Sequence, residues 1–397
     1  MQPLILTHVS LVNSLGEGVD ATLTALRERR SGLLPCSFRL SEMETWVGQV
    51  SGVESVRFSP NLADYDCRNN RLALLGIEQD GFFSAVKSAI ARHGRNRIGL
   101  FLGTSTSGLD ATELAYRHRD PESGALPLSY SYRKTQNTFS LAAFVKEVLD
   151  LDGPTAVVSS ACASTAKVFA EASRMISAGL CDAAVVGGAD SLCMTTLYGF
   201  NSLGLLSREP CRPFDAERDG ISIGEGAGFA LLEKDTSISD PKAVKLFGVG
   251  ESSDAYHMST PHPEGMGAYL AMQRALESAG LKASDMDYLH LHGTASKAND
   301  ASEDKAVTAL FGSKTPCSST KGWTGHGLGV SGITNAIVAM LCIQHHFLPG
   351  SLQTRSVDPL LKSGYLIENG TACVDYVMSN SFGFGGSNCS LVFGRAT

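Results

Sequence analysis

The feature that most constrains the fold of this chain is that one local arrangement occurs twice. In the first half, "TAVVSSACASTA" (155–166) runs from an apolar β-type stretch into a helix-type stretch, and further on comes "GISIGEGAGFALLE" (220–233). In the second half, "TPCSSTKGWTGHGLGVSGITNAIVAMLC" (315–342) also runs into a helix and is followed by "FGFGGSNCSLVFG" (382–394). A β-run, a small-residue turn, a helix, and a Gly-rich pair leading into a last strand thus appear in the same order twice. Two duplicated α/β halves, 1–238 and 239–397, account for this, joined near "EKDTSISDPK" (233–242), whose polar residues and Pro241 mark a linker. Cys162 and His326 would then occupy equivalent corners and face each other across a pseudo-two-fold axis.

The rest of the chain supports α/β layering. Short β-type runs such as "NRIGLFLGTS", "TAVVSS", "DAAVVGGADS", "AGFALLEK", "DYLHLHGT" and "NCSLVFG" alternate with helical stretches such as "GVDATLTALRERRSG" and "GMGAYLAMQRALESAG". The strands read as buried on both faces. With 397 residues and 43% hydrophobic content, the chain can bury a large core. A net charge of −7 and the absence of any block of like charges exclude the broad basic footprint of a nucleic-acid binder, so an anionic partner must meet a local basic patch. No continuous apolar run has the length of a membrane span, and the opening "MQPLILTHVSLVNSLGEG" lacks the pattern of a signal peptide, so a cytoplasmic location is expected.

The ten cysteines are scattered, with no C-x-x-C pair, and most read as small core hydrophobes. Cys162 differs because it sits where a β-run turns into a helix. Unpaired N–H groups and the partial positive charge at a helix start stabilise a thiolate, and the same groups can hold the oxyanion of a thioester under attack. His292 in "YLHLHGTASKANDASED" and His326 in "SSTKGWTGHGLGVSG" both lie at strand-to-turn corners, where side chains reach into clefts. A thiol nucleophile usually works with an imidazole partner. His290 and His292 alternate along one strand and could chelate, but no third ligand stands at a recognisable spacing, and no metal is expected. The glycine clusters match neither nucleotide-binding pattern.

Several motifs carry a family resemblance. "SSACASTA", "CRPFDAERDGISIGEGAGFALLE", "HGTASKANDASE", "STKGWTGHGLG" and "SNSFGFGGSNCSLVFG" stand in the order and approximate spacing of the elongating β-ketoacyl-acyl carrier protein synthases. "THVSLVNSLGEGVDATLTALRERRSGL" resembles that family's N-terminus, so the likeness spans nearly the whole chain. The resemblance implies a thiolase-like fold, two α/β halves in five layers (α-β-α-β-α), and decarboxylative condensation of an acyl thioester on Cys162 with malonyl-acyl carrier protein. It implies that His292 and His326 surround the malonyl thioester, and that Lys321 and Glu303 pair and fix the site. Phe384 matches a gating residue whose N–H joins that of Cys162 as oxyanion hole. Phe382 would lie beside the reacting centre, Phe200 would form a second gate, and Thr294 and Ser296 would bind the pantetheine arm. Arg68, Arg71 and Arg208 fall near places where relatives meet the acidic carrier protein. No cofactor is implied beyond the phosphopantetheine that the carrier protein brings.

The chain also departs from the family pattern. It has HGTAS where HGTGT or HGTST is common, so Ala295 adds bulk beside the retained hydroxyl of Ser296. Gly327 follows His326 where a larger residue is usual, which would loosen the helix start or enlarge the pocket. The "KGW" step with Trp323 is similar to ketosynthases of aryl-polyene-type pathways, some of which pair with a related chain-length-controlling subunit. A homodimer and a heterodimer are therefore both expected arrangements. Two other functions fit parts of the pattern: a thiolase acting on coenzyme A esters, and a non-condensing chain-length-factor-like subunit. Thiolases place a second cysteine near the C-terminal Gly-rich motif, whereas Cys389 lies past "GFGGSN" on the expected exit strand. Non-condensing subunits generally lose the nucleophile, which is present here.

Overall fold

The computed structural model describes residues 1–234 and 243–395. The expected boundary at 238/239 and the linker residues from 235 to 242, Pro241 included, lie outside the described residues. Among the described residues, the main strands form one twelve-stranded mixed sheet whose two halves repeat each other. Outward from the centre, the first half runs Leu4–Asn13, Gly226–Lys234, Ala183–Asp190, Ile98–Gly103, Thr155–Val158. The second runs Val244–Ser253, Ser387–Arg395, Tyr376–Gly383, Tyr288–His290, Pro316–Ser318, with the short Gly364–Tyr365 at the far edge. Apart from that edge strand, each half therefore places its five strands in the same chain order, first, fifth, fourth, second, third, with parallel pairing among the outer three and antiparallel pairing inward. The halves join where Leu4–Asn13 pairs antiparallel with Val244–Ser253, Leu4 opposite Leu246.

Alternation along the strands makes the layers. Ile98, Leu100 and Leu102 face one apolar cluster with Arg68–Glu78, Phe82–His93 and Phe139–Leu149, while Phe101 between them faces the opposite way. In the second half Cys389, Leu391 and Phe393 face inward, and Val392 packs outward towards Met266–Ala279 and Lys297–Phe311. The inward-facing residues of both halves meet on two central helices, Ser164–Ser177 and Ser331–His345. This is the five-layered arrangement that the resemblance implies.

The first central helix forms because Ser164–Ser177 contains no Gly or Pro and places Ala166, Phe169, Ala170 and Ile176 in the core; it ends before Gly179, which takes a left-handed φ of 72°. The second is apolar all round because it is packed on every side. Leu328–His345 is long and apolar enough to cross a membrane, with mean hydropathy 1.4, but 89% of it is buried inside the protein, so its apolarity serves the core. Ser331, Thr334 and Asn335 interrupt the run, which is why no continuous span shows in the sequence.

The two central helices cross closely because of small residues. Thr165 Oγ1 donates to the Gly329 carbonyl (2.5 Å) and accepts from the Ile333 N–H (2.9 Å). A Cβ on Gly332 would fall on the backbone of Ala166. We expect Gly332→Ala to destabilise the protein by ~1–3 kcal/mol through overpacking, read as a lower urea midpoint, whereas an exposed Gly312→Ala control bears only its backbone strain.

Candidate active site

Cys162 is presented by a strained turn. Ala161, just before it, has φ 46°, a left-handed conformation costly for a residue with a Cβ. The turn is held by serines: the Ala161 carbonyl accepts from Ser105 Oγ (2.9 Å) and Ser164 Oγ (2.6 Å), and Ser160 N–H donates to Ser164 Oγ (2.9 Å). Cys162, 5% exposed, lies on the wall of a cavity of about 170 Å³. His292, His326, Thr294, Ser296, Phe382, Phe384 and Phe200 line the same cavity. The structure thus brings together side chains contributed by both halves.

The matching corner of the second half supplies His326, whose Nε2 lies 3.0 Å from Cys162 Sγ and whose Nδ1 lies 2.9 Å from Ser331 Oγ. The His292 ring stands 5.2 Å from that of His326 at 81°, and the Phe382 ring is 6.0 Å from His292. Burial and the nearby Lys321 ammonium hold both imidazoles well below the ordinary histidine range, so both are neutral.

Lys321 and Glu303 do not form the direct ion pair that the resemblance implies. Lys321 Nζ donates to the His292 carbonyl, while Glu303 accepts from the N–H groups of His292 (2.8 Å) and Gly293 (2.7 Å) and from Asn380 Nδ2 (3.2 Å). Both side chains bond the same stretch of backbone, one at its N–H groups and the other at a carbonyl, and fix the base of His292. Burial pushes the Glu303 carboxyl up, against the N–H groups of Gly293 and His292 and the Asn380 amide, and pushes the Lys321 ammonium down, against the attraction of Glu303.

A second expectation is also reversed. Burial pushes the Cys162 thiol up to about 11, and Lys321 and the N–H groups of Phe384 and Cys162 itself only partly offset it. The helix start and the two N–H groups are aimed at the sulfur as expected, but desolvation wins in the closed site.

The Gly-rich loop 383–386 closes the cavity. Gly385 and Gly386 take φ of 80° and 74°, which other residues rarely adopt. The Phe384 ring packs on Phe200 at 5.5 Å, so the two expected gates touch. Gly385 N–H donates to the Met258 carbonyl (2.7 Å) and Asp254 N–H to that of Gly386 (2.8 Å), tying this loop to a cavity wall that the sequence motifs did not disclose. On the opposite wall, Thr294 Oγ1 and Ser296 Oγ are 3.0 Å apart, and Asp300 shapes their turn by accepting from the N–H groups of Thr294 (3.0 Å) and Ala295 (3.2 Å). Ala295 itself has φ 70° and is buried away from the cavity.

The departures around His326 resolve differently from expectation. A Cβ at Gly327 would meet Val330 Cγ1 at 2.7 Å, so the space left by the glycine is taken up by that side chain and does not enlarge the cavity. Trp323 is fully buried in the central core and lies off the cavity. Among the arginines, Arg68 is 4% exposed and bonds Glu225 through both Nε and Nη2, which withdraws it from any docking surface. Arg71 is engaged by Asp66 and Glu54, and Arg208 is exposed.

The sulfur of Cys162 and ring nitrogens of His292 and His326 lie within 4.8 Å of one another, a donor set of the kind soft metals use. The adjacent Lys321 ammonium, close enough to depress both imidazoles, would repel a divalent cation between them.

Comparison with known proteins bears on this geometry. Residues 80–237 match the family described as beta-ketoacyl synthase, N-terminal domain, and residues 244–355 the corresponding C-terminal domain. The chain is 33% identical over 326 residues to 3-oxoacyl-[acyl-carrier-protein] synthase 2 of Staphylococcus aureus, covering 78% of this chain and 80% of that one. It is 28% identical to the synthase of the same name from Vibrio cholerae, over 99% of each. Among solved structures, the ketosynthase ApeO, in complex with its chain length factor ApeC from Xenorhabdus doucetiae, is 37% identical at TM-score 0.89, covering 100% of this chain and 98% of that one.

The raised thiol gives a direct test. Alkylation of Cys162 by iodoacetamide should keep rising with pH past ~8.5, where a free cysteine would be half ionised; a plateau reached below that pH would show that the helix start outweighs burial.

Proposed function

This chain belongs to the beta-ketoacyl synthase family, and we propose that its reaction runs through Cys162 as the acyl carrier, with His292 and His326 around the malonyl thioester. The protein is a 3-oxoacyl-[acyl-carrier-protein] synthase: an acyl thioester and malonyl-acyl carrier protein give 3-oxoacyl-acyl carrier protein, carbon dioxide and free carrier protein. The observation that carries the residue assignment is the 3.0 Å approach of Cys162 Sγ to His326 Nε2, made between the two halves, with His292 5.2 Å from the second imidazole.

In the loading step, Cys162 sulfur attacks the acyl carbonyl, and the sulfur–carbon bond to pantetheine breaks. The thiol proton leaves Cys162 and ends on the departing pantetheine sulfur. In the condensing step, the carbon–carbon bond to the malonyl carboxylate breaks, carbon dioxide leaves, and the electron pair remains as an enolate. Neutral imidazole N–H groups donate to the thioester oxygen as that charge develops. The enolate carbon then attacks the acyl-cysteine, the oxyanion faces the N–H groups of Cys162 and Phe384, and the Cys162 thiolate leaves and takes up a proton from solvent. Ser331 suits both steps: its hydroxyl can accept from Nδ1, leaving Nε2 free to face the thiol, or donate to Nδ1, leaving Nε2–H to face the thioester. Glu303 and Lys321 hold the His292 backbone and transfer no proton in this reading. It uses no metal or organic cofactor beyond the carrier protein's phosphopantetheine.

The rival functions lose ground on particular residues. A thiolase needs a second reactive cysteine, but Cys389 is fully buried in the strand Ser387–Arg395, off the cavity, with its thiol pushed up by burial. A purely modulating subunit has no use for the assembled Cys162, His292, His326 and Lys321. The partners are an acyl carrier protein and a second ketosynthase-like chain. The strand Thr155–Val158, apolar and half-buried at the sheet's outer edge, offers unpaired backbone groups for that second chain. The likeness to ApeO supports an aryl-polyene-type pathway and a heterodimer with a chain-length-controlling partner. Such a protein would meet the carrier proteins of the cytoplasm.

Two outcomes test this reading. Intact-mass analysis should show one acyl adduct per chain with acyl-carrier protein, lost together with condensation in Cys162→Ala; His326→Ala should keep the adduct but slow condensation ~100-fold or more. Of the three arginines only Arg208 remains free to dock: Arg208→Glu should raise KM for acyl-carrier protein several-fold and leave KM for a free acyl-pantetheine thioester unchanged.

A further inference from the structure

The pseudo-symmetry exposes a buried carboxylate to which the reaction above gives no task. In the second half, the ends of Tyr288–His290 and Tyr376–Gly383 deliver His292 and the Phe384 loop. The equivalent strand ends in the first half, Ile98–Gly103 and Ala183–Asp190, deliver Ser105, Thr106 and Asp190. Asp190 is fully buried, and five donors converge on it. Oδ1 accepts from Ser105 N–H (2.7 Å), Thr106 N–H (2.7 Å), Thr106 Oγ1 (2.7 Å) and Thr104 Oγ1 (3.1 Å). Oδ2 accepts from Val330 N–H (2.9 Å), which belongs to the other half.

Both sides lead straight to the reacting atoms. Ser105, held through its N–H, uses its Oγ to hold the Ala161 carbonyl (2.9 Å), next to Cys162. Val330 precedes Ser331, whose Oγ holds His326 Nδ1 (2.9 Å). The approach is possible only because residue 329 is glycine: a Cβ there would lie 2.6 Å from Asp190 Oδ2 and 2.8 Å from Ser105 Oγ.

We propose that Asp190 is a positioning residue that sets the separation of Cys162 from His326, by clamping the turn behind the nucleophile to the turn behind the imidazole across the two halves. Burial raises its carboxyl to about 6, so at neutral pH it is ionised and accepts from all five donors. Asparagine at this position would keep the Oδ1 contacts to the first-half turn and set an NH₂ against the Val330 N–H, opening the clamp on the His326 side alone. The inference rests on the acyl-cysteine reading for its kinetic test and on geometry for its structural one.

The test uses the full-length protein with Asp190→Asn and Gly329→Ala, the latter a wedge that keeps the carboxylate group but presses on it and on Ser105. Each is loaded to its acyl adduct, and single-turnover condensation with malonyl-carrier protein is followed on the loaded fraction. We expect one adduct per chain in both variants, a condensation rate at least ~10-fold lower, and half-saturation in malonyl-carrier protein unchanged. Counting only loaded enzyme removes any loss of folded protein, so a purely structural role predicts a wild-type rate and would overturn the proposal. Crystal structures should show the Sγ to Nε2 separation longer than the present 3.0 Å, and an unchanged separation in either variant also overturns it. Wild-type acyl-enzyme that fails to condense refutes the function and leaves the crystallographic comparison to decide the clamp. If Asp190→Asn does not fold, Gly329→Ala carries both measurements; failure of both to fold makes Asp190 a folding residue and refutes the clamp.

Discussion

Everything in the site depends on the crossing of the two central helices, where Gly332 lies against Ala166 and Thr165 bridges Gly329 and Ile333. The first helix begins two residues after Cys162 and the second follows His326 through the short turn Leu328–Val330, so the crossing fixes where Cys162 and His326 stand. The contact between them cannot do this itself. A hydrogen bond of that kind contributes ~1 kcal/mol net, whereas full burial of a side chain such as Phe169 or Ile337 contributes ~1.5–3 kcal/mol, and the central layer buries many of these. Apolar packing sets the distance, and the chemistry uses it.

Within that frame, burial governs the protonation of the site, and one buried ammonium adds to it at the two imidazoles. Lys321 is held by the His292 carbonyl and balanced by Glu303, which bonds the N–H of the same residue. With the imidazole rings 5.2 Å apart, two imidazolium charges at an effective dielectric constant of ~20 would repel by ~3 kcal/mol before Lys321 is counted. Neutral rings avoid that cost and still offer an N–H to a thioester oxygen. The same burial keeps the resting Cys162 as a thiol, so the site is charged and discharged by the arriving substrate. The closed cavity, with Phe384 on Phe200, is the state in which desolvation outweighs the helix start.

The duplication was legible because its sign is a repeated order of residue types. Cys162, His326, His292, Phe384 and the Thr294–Ser296 turn all stand in short motifs, and the structure brings them to one cavity. Asp190 was not legible: "GGADS" reads only as the end of a buried strand, and its partners arrive from residues 104–106 and 330. The same limit explains Arg68, where the family resemblance placed a carrier-protein contact; Glu225, its buried partner, is 157 positions away. The strands at the pseudo-dyad were also missed, because "LILTHVSLVN" interleaves Thr, His and Ser with its apolar residues, although most of it is covered on both sides. Motifs record local chemistry, and pairings between distant corners appear only when the chain is folded.

The two halves share a scaffold but divide the work. At the third-strand corners both carry a reacting group, Cys162 on one and His326 on the other. At the fourth-strand corners they differ in kind: the second half has glycines at φ 80° and 74° and an aromatic lid, while the first has a carboxylate held by five donors. These devices exclude each other at one position. A loop that opens and closes over a cavity needs few anchoring bonds, and a clamp that fixes a turn needs many. Duplication supplies two equivalent corners, so the moving part can sit beside the reacting centre without loosening the part that must stay still.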